Sequence, residues 1–319
     1  MLLAIKDVVI FMSEISIIQG TPEYSEKIVE LFKKNYRNPP YHYVEFNDVD
    51  KNREFVEKNK AYLAVQGDKV VGFAAACYMP FEKAVYVKLA HLLVDKDYRR
   101  DAKYYPNYSI GEKLEDARNK FYENLQHEID NKPLLVYASC VPGRSVELKK
   151  NIGFKALGIR TNYGSTGENR VIMGKIYNCS QLKRRFEMPT NKTKSFLKCI
   201  SNQLNSDKLT VEFVYEDFCA NTVQNKYQIA PSSVSFRISA ESRVSGLDLD
   251  EAIAVILQSD IQYKSFFIEP SCANFKVVDA KLREKGFVPA VYFPFYNNGS
   301  DVIEYQHKVF CTSCVFSVL

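Results

Sequence analysis

A strand pattern followed by a helix pattern is the feature of this sequence that decides its fold. Residues 85–121 read VYVKLAHLLVDKDYRRDAKYYPNYSIGEKLEDARNKF. The first ten residues are rich in branched and aromatic side chains, which is typical of a β-strand. Apolar residues then recur at helical spacing, at Ile110, Leu114, Ala117 and Phe121. The sequence therefore predicts a strand, a polar loop and a helix that begins near Gly111.

Strand and helix patterns alternate on both sides of this unit. A strand pattern at 14–18 precedes an amphipathic helix with Tyr24, Ile28, Leu31 and Phe32 on one face. Two β-rich runs, at 61–66 and 70–78, predict a hairpin. A continuous apolar run at 134–139 is followed by a short helix that ends at Gly153 and by strands as far as Ile176. The predicted fold class is α/β.

The ending of the first half recurs in the second half. Gly153-Phe154 and Gly286-Phe287 have the same separation in sequence as Tyr163 and Tyr296. A buried strand and a short helix precede each Gly-Phe pair, and a hairpin with a polar turn follows it, which indicates an internal repeat. We expect a first domain over 12–178, a connector over 179–207 with a helix at 194–204, and a partial second domain over 208–319.

Composition disfavours several classes of protein. The 319 residues carry 43 Lys and Arg against 38 Asp and Glu, a net charge of +5, whereas nucleic-acid-binding domains usually show a stronger, clustered basic excess. No apolar run approaches the roughly 18 residues of a membrane-spanning helix. Eight cysteines are too few for a disulfide framework, and Cys311 and Cys314 lack the further ligands of a zinc site. Met12 is an alternative start, which would make residues 1–11 an upstream extension.

We expect a cytoplasmic protein with reduced thiols, present as a monomer or a homodimer. We expect no metal, no nucleic-acid partner and no membrane partner. The run Lys183-Arg184-Arg185 is predicted to be a solvated face rather than a binding patch.

Two segments resemble motifs of a known enzyme family. Residues 90–99 and 109–114 resemble the central strand and cofactor helix of GCN5-related N-acetyltransferases (GNAT), and residues 151–154 resemble the second motif of that family. The resemblance extends over about 14–177, and 208–310 resemble the last part of the same fold. The chain is similar to double-length bacterial members whose second copy is degenerate, a subgroup that Val141-Pro142-Gly143-Arg144-Ser145 also fits. This implies a GNAT-like mixed central sheet flanked by helices, followed by a second, partial GNAT-like repeat.

The resemblance implies acetyl-CoA as the acyl-donor substrate. A splayed strand at Leu92, Leu93 and Val94 would pair with the extended pantetheine arm, as an added strand does. The pyrophosphate would bind at the helix start, where amide groups and the helix dipole favour an anion. The residues implied there are Tyr108, Ser109, Ile110, Gly111 and Glu112, and Ser145 belongs to the same cofactor-binding set.

The phosphate motif departs from the family pattern. The usual R/Q-x-x-G-x-G/A falls on residues 106–111, where Pro106 replaces the cation and Ser109 replaces the first glycine. Three cations in or beside the enlarged loop could supply the missing charge, namely Arg99, Arg100 and Lys103. The alternative is that these residues are solvated and the cofactor site is impaired.

Direct acyl transfer needs a base for the ammonium acceptor and an acid for the leaving thiolate. His91, on the strand beside the implied thioester, is the candidate base, although a strand histidine is often structural. Many relatives place a tyrosine acid where this chain has Lys149, so Tyr163 or Tyr137 is the candidate acid, with aromatic packing as the alternative. Cys140 would permit a covalent acyl-enzyme, but no histidine is near it in sequence and buried thiols are usually inert.

The function predicted is N-acyl transfer, most simply from acetyl-CoA to a small amine. The aromatic and proline-rich segment 36–43 follows the first helix, where the resembled fold shapes its acceptor pocket. The second copy lacks a glycine turn before its helix, so we expect it to bind no cofactor and to cover or complete that pocket. One alternative is a non-catalytic ligand-binding or regulatory module. Another is an aminoacyl-tRNA-dependent transferase, which the modest charge disfavours.

Overall fold

The described part of the protein forms two compact units. The structure, a computed structural model, describes residues 14–37, 43–99, 109–163, 168–216, 226–230, 233–238, 246–258, 263–271, 275–297 and 299–307. The first unit comprises the described residues up to Cys77 together with Leu89–Asn124, and the second comprises Tyr78–Lys88 and the described residues from Leu125 onward. The borders of these units differ from the predicted domain boundaries at residues 178 and 208. Those boundaries separate two copies of one fold, and they stay a prediction.

The first unit is built on the sheet order β1-β2-β3-β4, with antiparallel β1–β2 and β2–β3 pairs. Short 3₁₀ turns lie at Pro22–Tyr24, Val44–Phe46 and Lys96–Tyr98. The elements that lie wholly or partly in this unit are β1 (Ile15–Gln19), α1 (Ser25–Asn35), α2 (Val49–Lys58), β2 (Lys60–Gln66), β3 (Lys69–Pro80), β4 (Val85–Val94) and α3 (Ile110–Glu128). The predicted strand and helix are thus confirmed as β4 and α3, while residues 100–108 of the predicted loop lie outside the described residues.

Aromatic packing forms the centre of the first unit. Phe32 on α1 stacks on Phe46 with ring centroids 4.1 Å apart, and Phe73 on β3 meets Phe32 edge-on at 5.6 Å. Helix α2 was not predicted from the sequence. Its signal is Asp48, whose side chain accepts a hydrogen bond from the Lys51 amide and so caps the helix.

The second unit contains a mixed sheet in the order β5-β7-β6-β13-β14-β12-β11-β10 and a separate parallel pair, β8-β9. Its strands are β5 (Leu134–Cys140), β6 (Lys155–Tyr163), β7 (Glu168–Tyr177), β8 (Gln181–Glu187), β9 (Thr210–Glu216), β10 (Lys226–Ala230), β11 (Ser233–Ile238), β12 (Lys264–Ile268), β13 (Phe287–Asn297) and β14 (Ser300–His307). Its helices are α4 (Arg144–Asn151), α5 (Asn191–Leu204), α6 (Gly246–Gln258) and α7 (Phe275–Glu284).

The repeated order of elements is visible in the sheet. Strand β7 lies between β5 and β6, and β14 lies in the same way between β12 and β13. A short helix connects the first two strands of each set, α4 in one and α7 in the other. The predicted fold class, a large mixed sheet flanked by helices with a second partial copy, is confirmed.

The segment between the two copies is more structured than its charge pattern suggested. The helix predicted at 194–204 is α5, but strand β8 was not predicted because charged residues dominate it. Leu182 and Phe186 of β8 are nevertheless buried, and Arg184 Nε donates a hydrogen bond to Asp301 at 2.8 Å. The predicted solvated face is therefore wrong for Arg184, because a partner carboxylate from the β13–β14 hairpin holds it. None of the described helices combines the length and apolarity needed to cross a membrane.

Candidate active site

The predicted site residues divide between the two units. His91 to Val94 on β4, Arg99, and Ser109 to Glu112 at the start of α3 all lie in the first unit. Ser145 on α4 and Tyr163 on β6 belong to the second unit. Arg100, Lys103 and Tyr108, together with Cys311 and Cys314, lie outside the described residues.

Strand β4 changes its conformation at His91. The backbone φ of His91 is 56°, a left-handed value that non-glycine residues seldom adopt within a strand. Leu93 is then buried at 4% exposure, whereas Leu92 is 41% exposed. A left-handed residue inside a strand redirects the side chains beyond it, as a β-bulge does. No local sequence pattern predicted this change.

The ring of His91 lies in an aromatic cluster that we call the His91 cluster, made of Phe32, Tyr43, Phe46 and Phe55. Its centroid is 4.4 Å from that of Phe46, 5.0 Å from Tyr43, 5.6 Å from Phe55 and 6.5 Å from Phe32. The contacts with Tyr43, Phe55 and Phe32 are edge-to-face, a geometry that aromatic pairs favour. The cluster fixes the ring while leaving it partly exposed. Its role as a base stays a prediction.

Ser109 caps helix α3. Its hydroxyl oxygen accepts a hydrogen bond from the Glu112 amide at 3.3 Å, and its carbonyl accepts from Lys113 at 3.2 Å. The serine that replaces the first glycine of the motif therefore has a structural function, and the Ser-x-x-Glu spacing is the sequence signal for it. Within the described part of the chain, the amides of Ile110 and Gly111 have no hydrogen-bond acceptor, as expected at a helix start.

The described residues leave the space around Gly111 open. Among them, a β-carbon built on Gly111 would meet only Val94 Cγ2, at 3.8 Å. The start of α3 therefore adjoins the end of β4, and another molecule can approach the backbone there. An anion fits such a position because the amides and the helix dipole both favour negative charge.

Gly72 on β3 holds α3 at this position. A β-carbon on Gly72 would lie 2.9 Å from Leu114 Cδ1 and 3.1 Å from Ile110 Cγ2. The helix therefore packs directly on the strand backbone. Sequence reasoning missed Gly72, since a glycine inside a strand has no local signal that names its partner.

Arg99 lies at the end of β4. Its Nε donates to the carbonyl oxygen of Val94 at 3.1 Å, and its Nη2 lies 3.4 Å from Asn35 Oδ1. Arg99 is exposed, so N–H groups of its guanidinium are accessible to a ligand near the end of β4. The structure thus places one of the three candidate cations beside Val94, while the other two lie outside the described residues.

A group of charged residues joins α1 to the end of β4. Lys34 Nζ lies 2.8 and 2.7 Å from the two carboxylate oxygens of Asp95, which is 1% exposed, and it also contacts Asp97. The hydrogen bond to Asp95 is the main cause that raises the pKa of Lys34, and the bond to Asp97 is the second. The hydrogen bond from Lys34 in turn lowers the pKa of Asp97. Asn35 Oδ1 completes the link by accepting from the Lys96 amide at 3.0 Å.

An open groove lies beside this link. Its volume is about 410 Å³, and its lining residues are Glu30, Lys33, Lys34, Tyr36, Arg37 and Asn47. Lys34 and Lys69 together balance Asp95 and Asp97, so the remaining charges of the lining are Lys33 and Arg37 against Glu30. The groove therefore has a slight positive excess.

The candidate residues of the second unit are packed. Lys149, at the position of the family's usual tyrosine, is 5% exposed and its ammonium lies 4.9 Å from the centroid of the Phe154 ring. Tyr163 meets the ring of Tyr263 edge-on at 5.0 Å and the Arg160 guanidinium at 4.9 Å.

The other three candidates of the second unit are placed as follows. The Ser145 hydroxyl donates to the Val141 carbonyl. Tyr137 and Cys140 are 8% and 6% exposed. Tyr163 thus combines partial exposure with a neighbouring cation, whereas Tyr137 is buried.

Comparison with known proteins gives similarity in fold. No protein-family model matches the chain, and no curated protein matches it. A GNAT-family acetyltransferase from Streptococcus pneumoniae has 16% identity and a TM-score of 0.40, over 51% of this chain and 100% of that chain. The ribosomal-protein-S5-alanine acetyltransferase of Vibrio fischeri has 13% identity and a TM-score of 0.37, over 50% of this chain and 91% of that chain. An aminoglycoside 6′-N-acetyltransferase in complex with coenzyme A has 16% identity and a TM-score of 0.37, over 50% of this chain and 96% of that chain.

Each of these three acetyltransferases aligns with about half of this chain. Acetyltransferases are therefore what the chain is similar to.

Proposed function

We propose that this protein is an N-acyltransferase that moves an acetyl group from acetyl-CoA to the amine of a small molecule. The observation that carries the proposal is the open start of α3 beside the end of β4. There the Ile110 and Gly111 amides have no acceptor in the described part of the chain, and a β-carbon on Gly111 would meet only Val94 at 3.8 Å. A diphosphate fits such a position.

Acetyl-CoA would supply an activated thioester. Leu92 to Val94 would hold its pantetheine arm by strand-like hydrogen bonds, and Ile110, Gly111 and Arg99 would hold its phosphates. His91 would take a proton from the acceptor ammonium, so that the amine forms the new C–N bond. As the C–S bond breaks, the leaving thiolate would take a proton from an acid. Tyr163, the predicted acid, belongs to the second unit, and its role stays a prediction.

The groove beside α1 is the proposed acceptor site. Lys34 lines it and also binds Asp95 at the end of β4, so the groove adjoins the proposed thioester strand. Its slight positive excess, from Lys33 and Arg37 against Glu30, favours an acceptor that carries a carboxylate, such as an amino acid, over a polycationic amine. We also propose a cytoplasmic location, because the proposed enzyme uses acetyl-CoA.

Calorimetric titration with acetyl-CoA and with CoA tests the donor site. The wild type is expected to bind both, and Gly111→Trp is expected to bind neither because the indole fills the space over the helix start. Lys120→Trp is the matched control, since it adds the same side chain at an exposed position of the same helix. The absence of binding by the wild type to any acyl-CoA would contradict the proposal.

A binding module without turnover is the second candidate function. The observation that favours it is Lys149, which is buried against Phe154 where the resembled family has its acid. Release of free CoA thiol in the presence of a panel of amines and amino acids separates the two functions. Binding of acetyl-CoA with no thiol release for any acceptor would support the module.

A further inference from the structure

A buried arginine on α3 contacts the backbone of two neighbouring strands. Arg118 is 2% exposed, and its Nη1 lies 3.1 Å from the carbonyl oxygen of Ala90 on β4 and 3.3 Å from that of Ala75 on β3. Its Nη2 pairs with Glu115 one turn earlier on the helix. A guanidinium is seldom removed from water to bind carbonyl groups, because its desolvation is costly.

The Ala90 carbonyl belongs to the peptide that leads into His91. A peptide group is planar, so a bond that holds its oxygen also fixes the orientation of the His91 amide. His91 is the residue of β4 with the left-handed φ of 56°. A left-handed conformation is unfavourable for a non-glycine residue and persists where surrounding contacts hold it.

We infer that Arg118 is a positioning residue that holds the Ala90–His91 peptide, and through it the direction in which His91 and Leu92 leave the strand. That Arg118 holds the peptide follows from the geometry alone. That this affects catalysis rests on the proposed function. Because Arg118 is buried, it acts through the Ala90–His91 peptide and is assigned no contact with the acceptor or the donor.

The geometry requires arginine rather than lysine. A planar guanidinium directs several N–H groups at fixed angles, whereas an ammonium is a compact charge without that fork. Arg118 uses Nη1 for two carbonyls on different strands and Nη2 for Glu115, and its buried Nε has no partner among the described residues. The two carbonyls and the carboxylate therefore set the orientation of the side chain, and this orientation leaves Nε without a hydrogen-bond partner among the described residues.

Two variants and one control test the inference. Arg118→Lys keeps a charge beside Glu115 but loses the fork, and the double variant Arg118→Met with Glu115→Gln removes the pair without leaving an unpaired buried charge. Lys120→Met, at an exposed position on the same helix, is the control. The double variant serves where Arg118→Lys fails to fold.

Hydrogen exchange measured by mass spectrometry gives the structural readout on the full chain. We expect exchange of the backbone in residues 88–94 to accelerate about tenfold or more, with residues 60–66 unchanged. Unchanged exchange at 88–94, or equal acceleration in both segments, would overturn the inference.

Steady-state kinetics gives the functional readout. We expect kcat to fall about tenfold or more while the KM for acetyl-CoA stays within about threefold, because the reacting groups are misplaced and the phosphate site is intact. A rise in KM with kcat unchanged would overturn the positioning function. If the wild type neither binds nor uses acetyl-CoA, the proposed function fails, and the exchange measurement still decides what Arg118 holds.

Discussion

Gly158 and Ala290 approach so closely that a β-carbon built on Gly158 would lie 2.0 Å from the carbonyl oxygen of Ala290. The contact joins β6 of the first copy to β13 of the second, where Gly158 pairs with Val291. Because the neighbouring atoms are backbone atoms, they cannot move aside as a flexible side chain can. The approach of the two copies therefore depends on the absence of a side chain at this residue.

Gly158→Ala is predicted to destabilise the protein by about 3 kcal/mol or more, since it adds a clash to a backbone with φ of 149°. Urea unfolding measures the change. Gly143→Ala separates the two causes, because Gly143 also has a positive φ, 102°, but no atom of the described residues lies within 4 Å of the added carbon. The control is expected to lose roughly 1 kcal/mol, and equal losses in the two variants would contradict a steric origin.

Asp279 on α7 is predicted to hold the connector helix α5 in place. Its carboxylate is fully buried and accepts hydrogen bonds from the Thr190 amide at 2.5 Å, the Thr193 hydroxyl at 2.7 Å and the Tyr305 hydroxyl at 3.0 Å. Asp279→Ala should cost about 3 kcal/mol or more of unfolding free energy, because these buried donors lose their acceptor.

Asp250→Ala is the control for that measurement. Asp250 pairs with Lys281 on an exposed surface, so its loss should stay within about 0.5 kcal/mol. A similar small loss in Asp279→Ala would show that the buried carboxylate does not hold α5.

Local periodicity explains what could be predicted from the sequence. The apolar spacing from Ile110 to Phe121 belongs to one helix, and the two Gly-Phe pairs mark the ends of two short helices. Both signals are contained in a few consecutive residues. Ser109 was also within reach, since Ser followed three residues later by Glu is a helix-capping signal.

Contacts between distant residues explain what could not be predicted. The left-handed backbone of His91 accompanies a bond between Arg118 and Ala90, 28 residues apart in sequence. The connector strand β8 is held by a bond from Arg184 to Asp301, and its charged residues alone suggested a solvated surface. Neither pairing leaves a periodic trace in the sequence.

Gly72→Ala is predicted to weaken acetyl-CoA binding, if the proposed function holds, because the added carbon displaces the start of α3. It would stand 2.9 Å from Leu114 Cδ1 and 3.1 Å from Ile110 Cγ2. A shift of the helix start should raise the Kd for CoA about tenfold in calorimetric titration. Gly20→Ala is the matched control, since the three atoms nearest to its added carbon belong to Ala61 and Leu63 of β2, the first two at 3.1 and 3.2 Å.

Equal effects of Gly72→Ala and Gly20→Ala on the Kd would show that general destabilisation is the cause. An unchanged Kd in both variants would show that α3 does not position the phosphates.

The bond between Lys34 and Asp97 is predicted to stabilise the protein in a pH-dependent way. Because Lys34 lowers the pKa of Asp97 below its ordinary value of 3.8, the stabilisation is present above pH 3.8 and disappears as pH falls through the lower folded value. Asp97→Asn should therefore be less stable than the wild type at about pH 6 and equal to it at the acid end of the range. Urea unfolding across this range measures the difference.

Salt provides the control for Asp97→Asn. Asp97 is largely exposed, so the difference from the wild type should shrink at high ionic strength. A difference that is constant with pH and salt would mean that Asp97 acts through its helix-turn position rather than its charge.

His91 is predicted to be the base, and two substitutions separate that function from packing in the His91 cluster. His91→Phe keeps an aromatic ring against Phe46, whose ring centroid lies 4.4 Å away, and His91→Asn keeps a residue that tolerates the left-handed φ of 56°. Neither replacement titrates near neutral pH. Both variants should therefore lose on the order of 10²–10⁴ in kcat/KM, and the acid limb of its pH profile should vanish.

Stability is measured beside activity because the cluster also packs the core of the first unit. If His91→Phe keeps the wild-type pH profile and most of its activity, the histidine is a packing residue and another group removes the proton. If both variants lose activity but bind acetyl-CoA with the wild-type Kd and unfold at the wild-type urea concentration, packing is excluded as the cause. A base positioned by an aromatic cluster accounts for that combination, because only the proton acceptor differs between the variants and the wild type.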